Sequence, residues 1–134
     1  QVYAGHESRC SVPIALLRGS EYLTGRLQRL DLLKVDTQGA EFQVISGLMP
    51  LLQSLAQPPR IIIELTPYAL REAGASARAL VELLGSLRQP LWFIDHIEHR
   101  LVATDTEELA LWCDNWERVP GDRGFFNILV GPAD

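Results

Sequence analysis

The chain has 134 residues, 47% of them apolar and 22% charged, with a formal net charge of −5. That is enough for one ordinary soluble globular domain with a real core, and too little for two of usual size. The negative balance without any Lys/Arg cluster argues against a nucleic-acid protein held by phosphate contacts, and against a binder of anionic membrane surfaces. No apolar run approaches the roughly 20 residues that span a bilayer.

Residues 1–11 are polar and aperiodic, a frayed start or the tail of another segment. Val12 to Leu17 is short and apolar and reads as a strand, with Pro13 suited to an edge or a strand start. Gly19 to Leu30 reads as a short helix, with Ser20 as an N-cap and Leu23, Leu27 and Leu30 at helical spacing. Leu32 to Asp36 is a strand. Thr37 can cap a helix running to about Leu55, whose stripe is Ile45, Leu48, Leu52 and Leu55 with Phe42 and Met49 beside it. Gln57-Pro58-Pro59 stops that helix.

Arg60 to Leu65 is a strand without alternation, the pattern expected when both faces are covered. With the preceding strand and helix it forms one β-α-β unit with parallel strands. Thr66-Pro67 opens another helical stretch, which Gly74 breaks. Ser76 can cap the next, with Leu80, Leu83, Leu84 and Leu87 facing inward. Pro90 to Ile97 is strand-like, and His99 to Ala103 can pair back against it. Thr104 to Glu108 opens a last helix toward Trp116, with acids in the first turn where the helix dipole favours them. The polar turn 120–124 leads into a final strand, Phe125 to Val130.

The cysteines, Cys10 and Cys113, lie far apart and outside any metal-ligand spacing. They read as free thiols of a cytoplasmic protein. No signal-peptide pattern opens the sequence. The only methionine is Met49 and the chain starts Gln1-Val2-Tyr3, so a piece of a longer protein or a processed product is expected.

The stretch from Leu30 to Glu41 carries the functional information. An apolar strand ends in Asp36, Gly39 follows, then Glu41, and a helix begins. Two carboxylates thus meet at a strand-to-helix corner, and open α/β sheets bind ligands outside the carboxyl ends of their strands.

Residues 31–47, DLLKVDTQGAEFQVISG, resemble the signature of FkbM-type methyltransferases, whose usual form reads D-L-I-K-I-D-V-E-G-A-E-x-x-V-L-x-G. Asp36, Gly39, Ala40, Glu41, Val44 and Gly47 stand at matching places, and Gln38 replaces the usual acid. IIIEL at 61–65 resembles the family's next strand, FFNILV at 125–130 its closing strand, and VPIALLRGSEYL the segment before the signature. The resemblance covers roughly residues 12–130.

It implies a Rossmann-like fold and S-adenosylmethionine-dependent O-methylation of sugar or natural-product hydroxyls. It also implies a glycine-rich cofactor loop after the first strand, yet no G-x-G occurs in these 134 residues. Gly121 and Gly124 precede a strand and open no helix, so they fail the context test. The expected architecture is therefore α/β: the C-terminal half of a Rossmann-like methyltransferase domain in one unit, 1–134. Its sheet is expected to be mostly parallel with an antiparallel last strand, flanked by helices.

Methyl transfer to a hydroxyl asks the protein for alignment and a base. Asp36 is the candidate base or acceptor-orienting group. Glu41, within the first helical turns, is its candidate partner; the plainer alternative is that the two acids serve the helix terminus. Gly39 and Glu64 are candidate substrate contacts: Gly39 permits close backbone approach, and an acid closing an apolar strand is costly if buried unpaired. Lys34 shares a face with Asp36 and pairs with it in the plainer account. Asp95, His96, Glu98 and His99 crowd a hairpin turn, where polar residues are expected without any metal. Trp92, Trp112 and Trp116 read as core or interface aromatics, since no basic groove accompanies them.

Two functions remain open at this point. One is the acceptor side of an S-adenosylmethionine-dependent methyltransferase, inactive by itself, with weak or no cofactor binding by this chain. The other is a non-catalytic binding or scaffold module. The partners expected are a small-molecule or glycan acceptor and either a missing N-terminal half or a second copy. In the half-fold, strand 32–36 is left as an open edge, which predicts cover by a helix, by residues 1–17, or by a homodimer formed through that strand.

Overall fold

The computed structural model describes residues 12–119, 121 and 124–134. The elements in chain order are α1 (Gly19–Leu23), β1 (Leu32–Val35), α2 (Glu41–Ser54), β2 (Arg60–Leu65) and α3 (Pro67–Glu72). They continue with α4 (Ala77–Gly85), β3 (Leu91–Asp95), β4 (Arg100–Thr104), α5 (Thr106–Glu117) and β5 (Phe126–Val130). The five strands form one sheet in the order β1-β2-β5-β3-β4.

β1 and β2 pair in parallel, Leu33 opposite Ile61 and Val35 opposite Ile63. The other three pairings are antiparallel: β2 with β5, β5 with β3, and β3 with β4. A mixed sheet with helices is compatible with a methyltransferase-like fold, but the expectation of a mostly parallel sheet is overturned. The antiparallel last strand does not sit at the rim. It inserts between β2 and β3 and turns both of those contacts antiparallel.

The core lies on one face of the sheet. Val35, Ile61, Ile63, Leu65, Phe126, Ile128 and Val130 pack there against Ile45, Leu48 and Leu52 of α2, Leu80 and Leu84 of α4, and Leu109 and Cys113 of α5. Their alternation is why β2 buries every second residue. The opposite face carries Ile62, Trp92, Ile94 and Leu129. Leu129 is buried outside the core cluster, and the other three are only half-buried. The unbroken apolar run of β2 led to an expectation of cover on both faces; among the described residues the helices' core side chains cover one.

Local chemistry explains the helix starts. Ser76 Oγ accepts from the Ala79 N–H at 3.0 Å and opens α4, and Asp105 accepts from the Glu108 N–H at 2.8 Å and opens α5. Each occupies a donor that the first helical turn leaves without a partner. Pro50 lies inside α2 on its exposed side, so the ladder bond to the exposed Ser46 carbonyl is missing where water can replace it.

Two expected elements change. The strand expected at Val12–Leu17 does not form, and those residues are exposed and irregular. The helix expected to reach Leu30 ends at Leu23, because Gly25 takes a φ of 78° and turns the chain toward β1. Ser20 is not its cap; Arg18 holds that position without a side-chain bond. The tail 1–11 with Cys10, and residues 120, 122 and 123 of the polar turn, lie outside the described residues.

Candidate active site

The strand-to-helix corner is built from within. Gln38 and Gly39 both take positive φ, 52° and 116°, and this folds the chain back before α2. Only glycine adopts the second value without strain. A Cβ on Gly39 would also stand 2.6 Å from the Ala69 carbonyl oxygen of α3. The close approach expected at Gly39 is therefore to the protein's own backbone.

Glu41 is the first residue of α2 and only 2% exposed. Its Oε1 accepts from the Thr37 N–H at 2.8 Å and from the Thr37 hydroxyl at 3.1 Å, and its Oε2 accepts from the Gly39 N–H at 2.8 Å. The helix's own carboxylate thus ties down the loop that leads into it. Thr37, expected as the cap, is held by Glu41 instead, and Ala40 occupies the N-cap position.

Asp36 is different. Its carboxylate stands outside this internal network at the carboxyl end of β1. Oδ1 accepts from Gln38 Nε2 at 2.8 Å, and Oδ2 lies 3.8 Å from Lys34 Nζ, the pair anticipated from their shared face. Glu64, near the end of the neighbouring parallel strand, accepts from the same Gln38 Nε2 at 3.0 Å and from the Thr66 hydroxyl at 3.3 Å. One amide thereby joins the carboxylates of two strand ends, reaching from Gln38 to a residue 26 positions along the chain.

Gln38 was not among the candidate site residues. It stood out only as a departure from the family's usual acid. The signal was present: an amide can donate to two carboxylates at once, whereas an acid there would place a third negative charge between them.

This edge suits a hydroxyl donor. Asp36 and Glu64 offer acceptors at the carboxyl ends of two parallel strands, next to a loop held rigid from behind. It does not suit the whole of S-adenosylmethionine. The backbone N–H groups that could cradle the carboxylate of its methionine end, those of Thr37 and Gly39, are engaged by Glu41. No glycine-rich corner is present in the sequence to receive the rest.

The hairpin between β3 and β4 gathers His96, Glu98 and His99, but its acid is occupied. Asp95 Oδ1 accepts from the Ile97 and Glu98 N–H groups, both at 3.1 Å, and Oδ2 from Arg100 Nε at 3.4 Å. The Glu98 N–H is the main cause holding the Asp95 carboxyl below its ordinary value. Trp112 and Trp116 form an edge-to-face cluster with Phe93 and Phe126. Trp92 stands apart, its indole N–H donating to the Gly131 carbonyl at 2.9 Å. Cys113 is a buried free thiol, and burial pushes it up to about 12. No helix among the described residues is long and apolar enough to cross a membrane.

No curated protein and no solved structure matches the chain. A family model, the methyltransferase FkbM domain, matches residues 8–99, which contain the whole corner and both parallel strands. The match spans more than half of the sequence and begins and ends around the β1–α2–β2 unit that builds the acidic edge, so the chain belongs to the methyltransferase FkbM domain family.

Proposed function

We propose that this chain forms the acceptor side of an S-adenosylmethionine-dependent O-methyltransferase site acting on a hydroxyl of a sugar or natural product. The observation that carries the reading is the division of labour at the corner. Glu41 satisfies the loop's donors, which leaves Asp36 with side-chain partners alone and an open position at the strand end. Asp36 would orient the acceptor hydroxyl and take its proton. Glu64 would accept from a second hydroxyl of the same acceptor. Gln38 holds the two carboxylates at a fixed separation, and Glu41 with Gly39 positions the loop without touching the acceptor. The methyl donor would be held by a part of the fold that these residues do not supply.

A second reading, a binding module without catalysis, draws support from the engaged N–H groups at the corner. A transfer assay with radiolabelled S-adenosylmethionine and a panel of polyol acceptors separates the two. It is run on the full polypeptide that carries this segment. Asp36→Asn is expected to lower kcat/KM by about 10²–10⁴-fold with folding intact by circular dichroism. Unchanged transfer removes Asp36 from the chemistry, and acceptor binding without any transfer favours the binding module. Calorimetry of the 134-residue chain with S-adenosylmethionine is expected to give no tight binding, and strong binding would overturn the proposed division between donor and acceptor sides.

A further inference from the structure

β4 closes the sheet at the end farthest from β1, and among the described residues it pairs with β3 alone. The Gly131 N–H donates to the Pro90 carbonyl, so by alternation Trp92 and Ile94 turn their backbone groups toward β5. Leu91, Phe93 and Asp95 then face β4, opposite Thr104, Val102 and Arg100. The N–H and C=O groups of Leu101 and Ala103 are left pointing out of the sheet. Edge strands are ordinarily blunted by charge, proline or a bulge. The centre of β4, Leu101-Val102-Ala103, has none of these, and all three residues are exposed.

The side chains beside this edge are sorted by face. Val102 lies opposite Phe93, which packs on Trp112, so Arg100, Val102 and Thr104 stand on the α5 side of the sheet. There Phe93, Val102, Leu109 and Trp112 line a shallow apolar cavity, with Val102 38% and Trp112 43% exposed. At its rim the Thr104 hydroxyl donates to Glu108 Oε2 at 2.7 Å and holds that carboxylate in place.

We infer that a second copy of this chain adds its β4 antiparallel to this edge, about a twofold axis through Val102. That register sets Leu101 of each copy opposite Ala103 of the other. Both face outward, so each opposed pair exchanges two backbone hydrogen bonds. The two Val102 side chains meet between them at the non-hydrogen-bonded position, where opposed side chains come closest, beside the apolar cavities. Arg100 of one copy comes opposite Thr104 of the other, next to the Glu108 carboxylate that the threonine holds. Among the described residues Arg100 uses only its Nε, toward Asp95 at 3.4 Å, which leaves the rest of the guanidinium for Glu108. This register pairs all 5 residues of the strand. An axis through Leu101 would instead set Arg100 opposite Val102 and bring its charge onto the apolar cavity. The edge is self-complementary, as a twofold interface requires. β1 and Asp36 lie at the other end of the strand order, so a part of the fold that adds beside β1 leaves this edge as it is. The inference is independent of methyl transfer.

Sedimentation equilibrium of the full polypeptide that carries this segment, with variants at β4 and α5, tests it. The wild type is expected to dimerise. Val102→Asp sets two carboxylates against each other at the axis and is expected to weaken the dimer by about a hundredfold or more. Arg100→Glu and Glu108→Arg each set like charges at both ends of the interface, and each is expected to weaken it by about tenfold. Mixed together, these two charge variants restore both opposed pairs and are expected to form a heterodimer close to wild type in strength. Circular dichroism checks that each variant is folded, as all three positions are exposed. A wild type that stays monomeric at the highest attainable concentration overturns the inference. So does a Val102→Asp variant that dimerises like wild type, which would place the contact elsewhere, or a mixture no tighter than either charge variant alone.

Discussion

Two strands of this sheet run out into an acid, and the two acids meet different fates. Asp95 closes β3 and its carboxylate is taken up by the turn that follows, accepting from the Ile97 and Glu98 N–H groups and from Arg100. Asp36 follows β1 into a loop of comparable tightness, with Gln38 at φ 52° where the hairpin has His99 at φ 51°. There the backbone donors are met by Glu41, five residues along and buried, and Asp36 stays outside. An acid at a strand end becomes available for chemistry only when another group satisfies its loop.

The comparison breaks first at Glu41. Glu41→Gln keeps the size but turns an amide N–H₂ toward donors that need an acceptor. A buried group losing charge-assisted bonds in this way is expected to cost about 2–4 kcal/mol. Urea unfolding measures it, and a loss below about 1 kcal/mol would mean that the loop stands without its buried carboxylate.

Gly39→Ala comes next. It imposes a side chain at φ 116° and against the Ala69 carbonyl. A strained backbone position of this kind costs about 1–3 kcal/mol, and the shift of α3 that relieves the contact should be visible as chemical-shift changes at residues 66–70.

The smallest effect belongs to the hairpin. Asp95→Asn removes an acceptor from an exposed turn, and its change in thermal midpoint should fall well below that of Glu41→Gln. The same acid gives a pH signature. Asp95 is held below its ordinary value chiefly by the Glu98 N–H, and Asp114 chiefly by its hydrogen bond from Arg78. A lowered folded value means that the folded state binds fewer protons. The contribution is therefore complete above the unfolded carboxyl value, about 3.9, and is lost as pH falls through the folded values. Melts from pH 5 downward should show a plateau and then a decline, with the Asp95→Asn decline shallower. A wild-type melt that stays flat into strong acid would contradict this.

The sequence was informative wherever an element answers to its own neighbours. Ser76 caps α4 as its spacing suggested, and the 91–104 hairpin pairs as its two apolar runs suggested. Chain-local reasoning went wrong where a neighbour decides. Val12–Leu17 has strand-forming residues but pairs with no strand of the sheet, and the helix after Gly19 stops because Gly25 must turn the chain into β1.

The order of strands was out of reach, since the place of β5 between β2 and β3 rests on pairings across more than 30 residues. At the corner, Asp36, Gly39, Glu41 and Glu64 could all be picked out by residue type. Their distinct positions could not. Glu41 is buried while Asp36 is exposed, and the Asp36–Gln38–Glu64 bridge follows from the parallel register of β1 and β2.

That late strand has a consequence for how the molecule comes into being. β5 alone joins the β1–β2 pair to the β3–β4 hairpin. Arg60 at the start of β2 then donates to the carbonyls of Pro132 and Asp134, and Trp92 to that of Gly131. During synthesis the growing chain can form a parallel pair and a hairpin, each marginal alone, but nothing pairs them until residues 126–130 arrive. The sheet therefore closes in one step that waits for β5, and most of its cooperativity is withheld until those residues have been made. A nascent chain stalled before Phe126 would present two half-sheets with bare edges to the crowded cell, which makes the last strand the checkpoint between folding and aggregation.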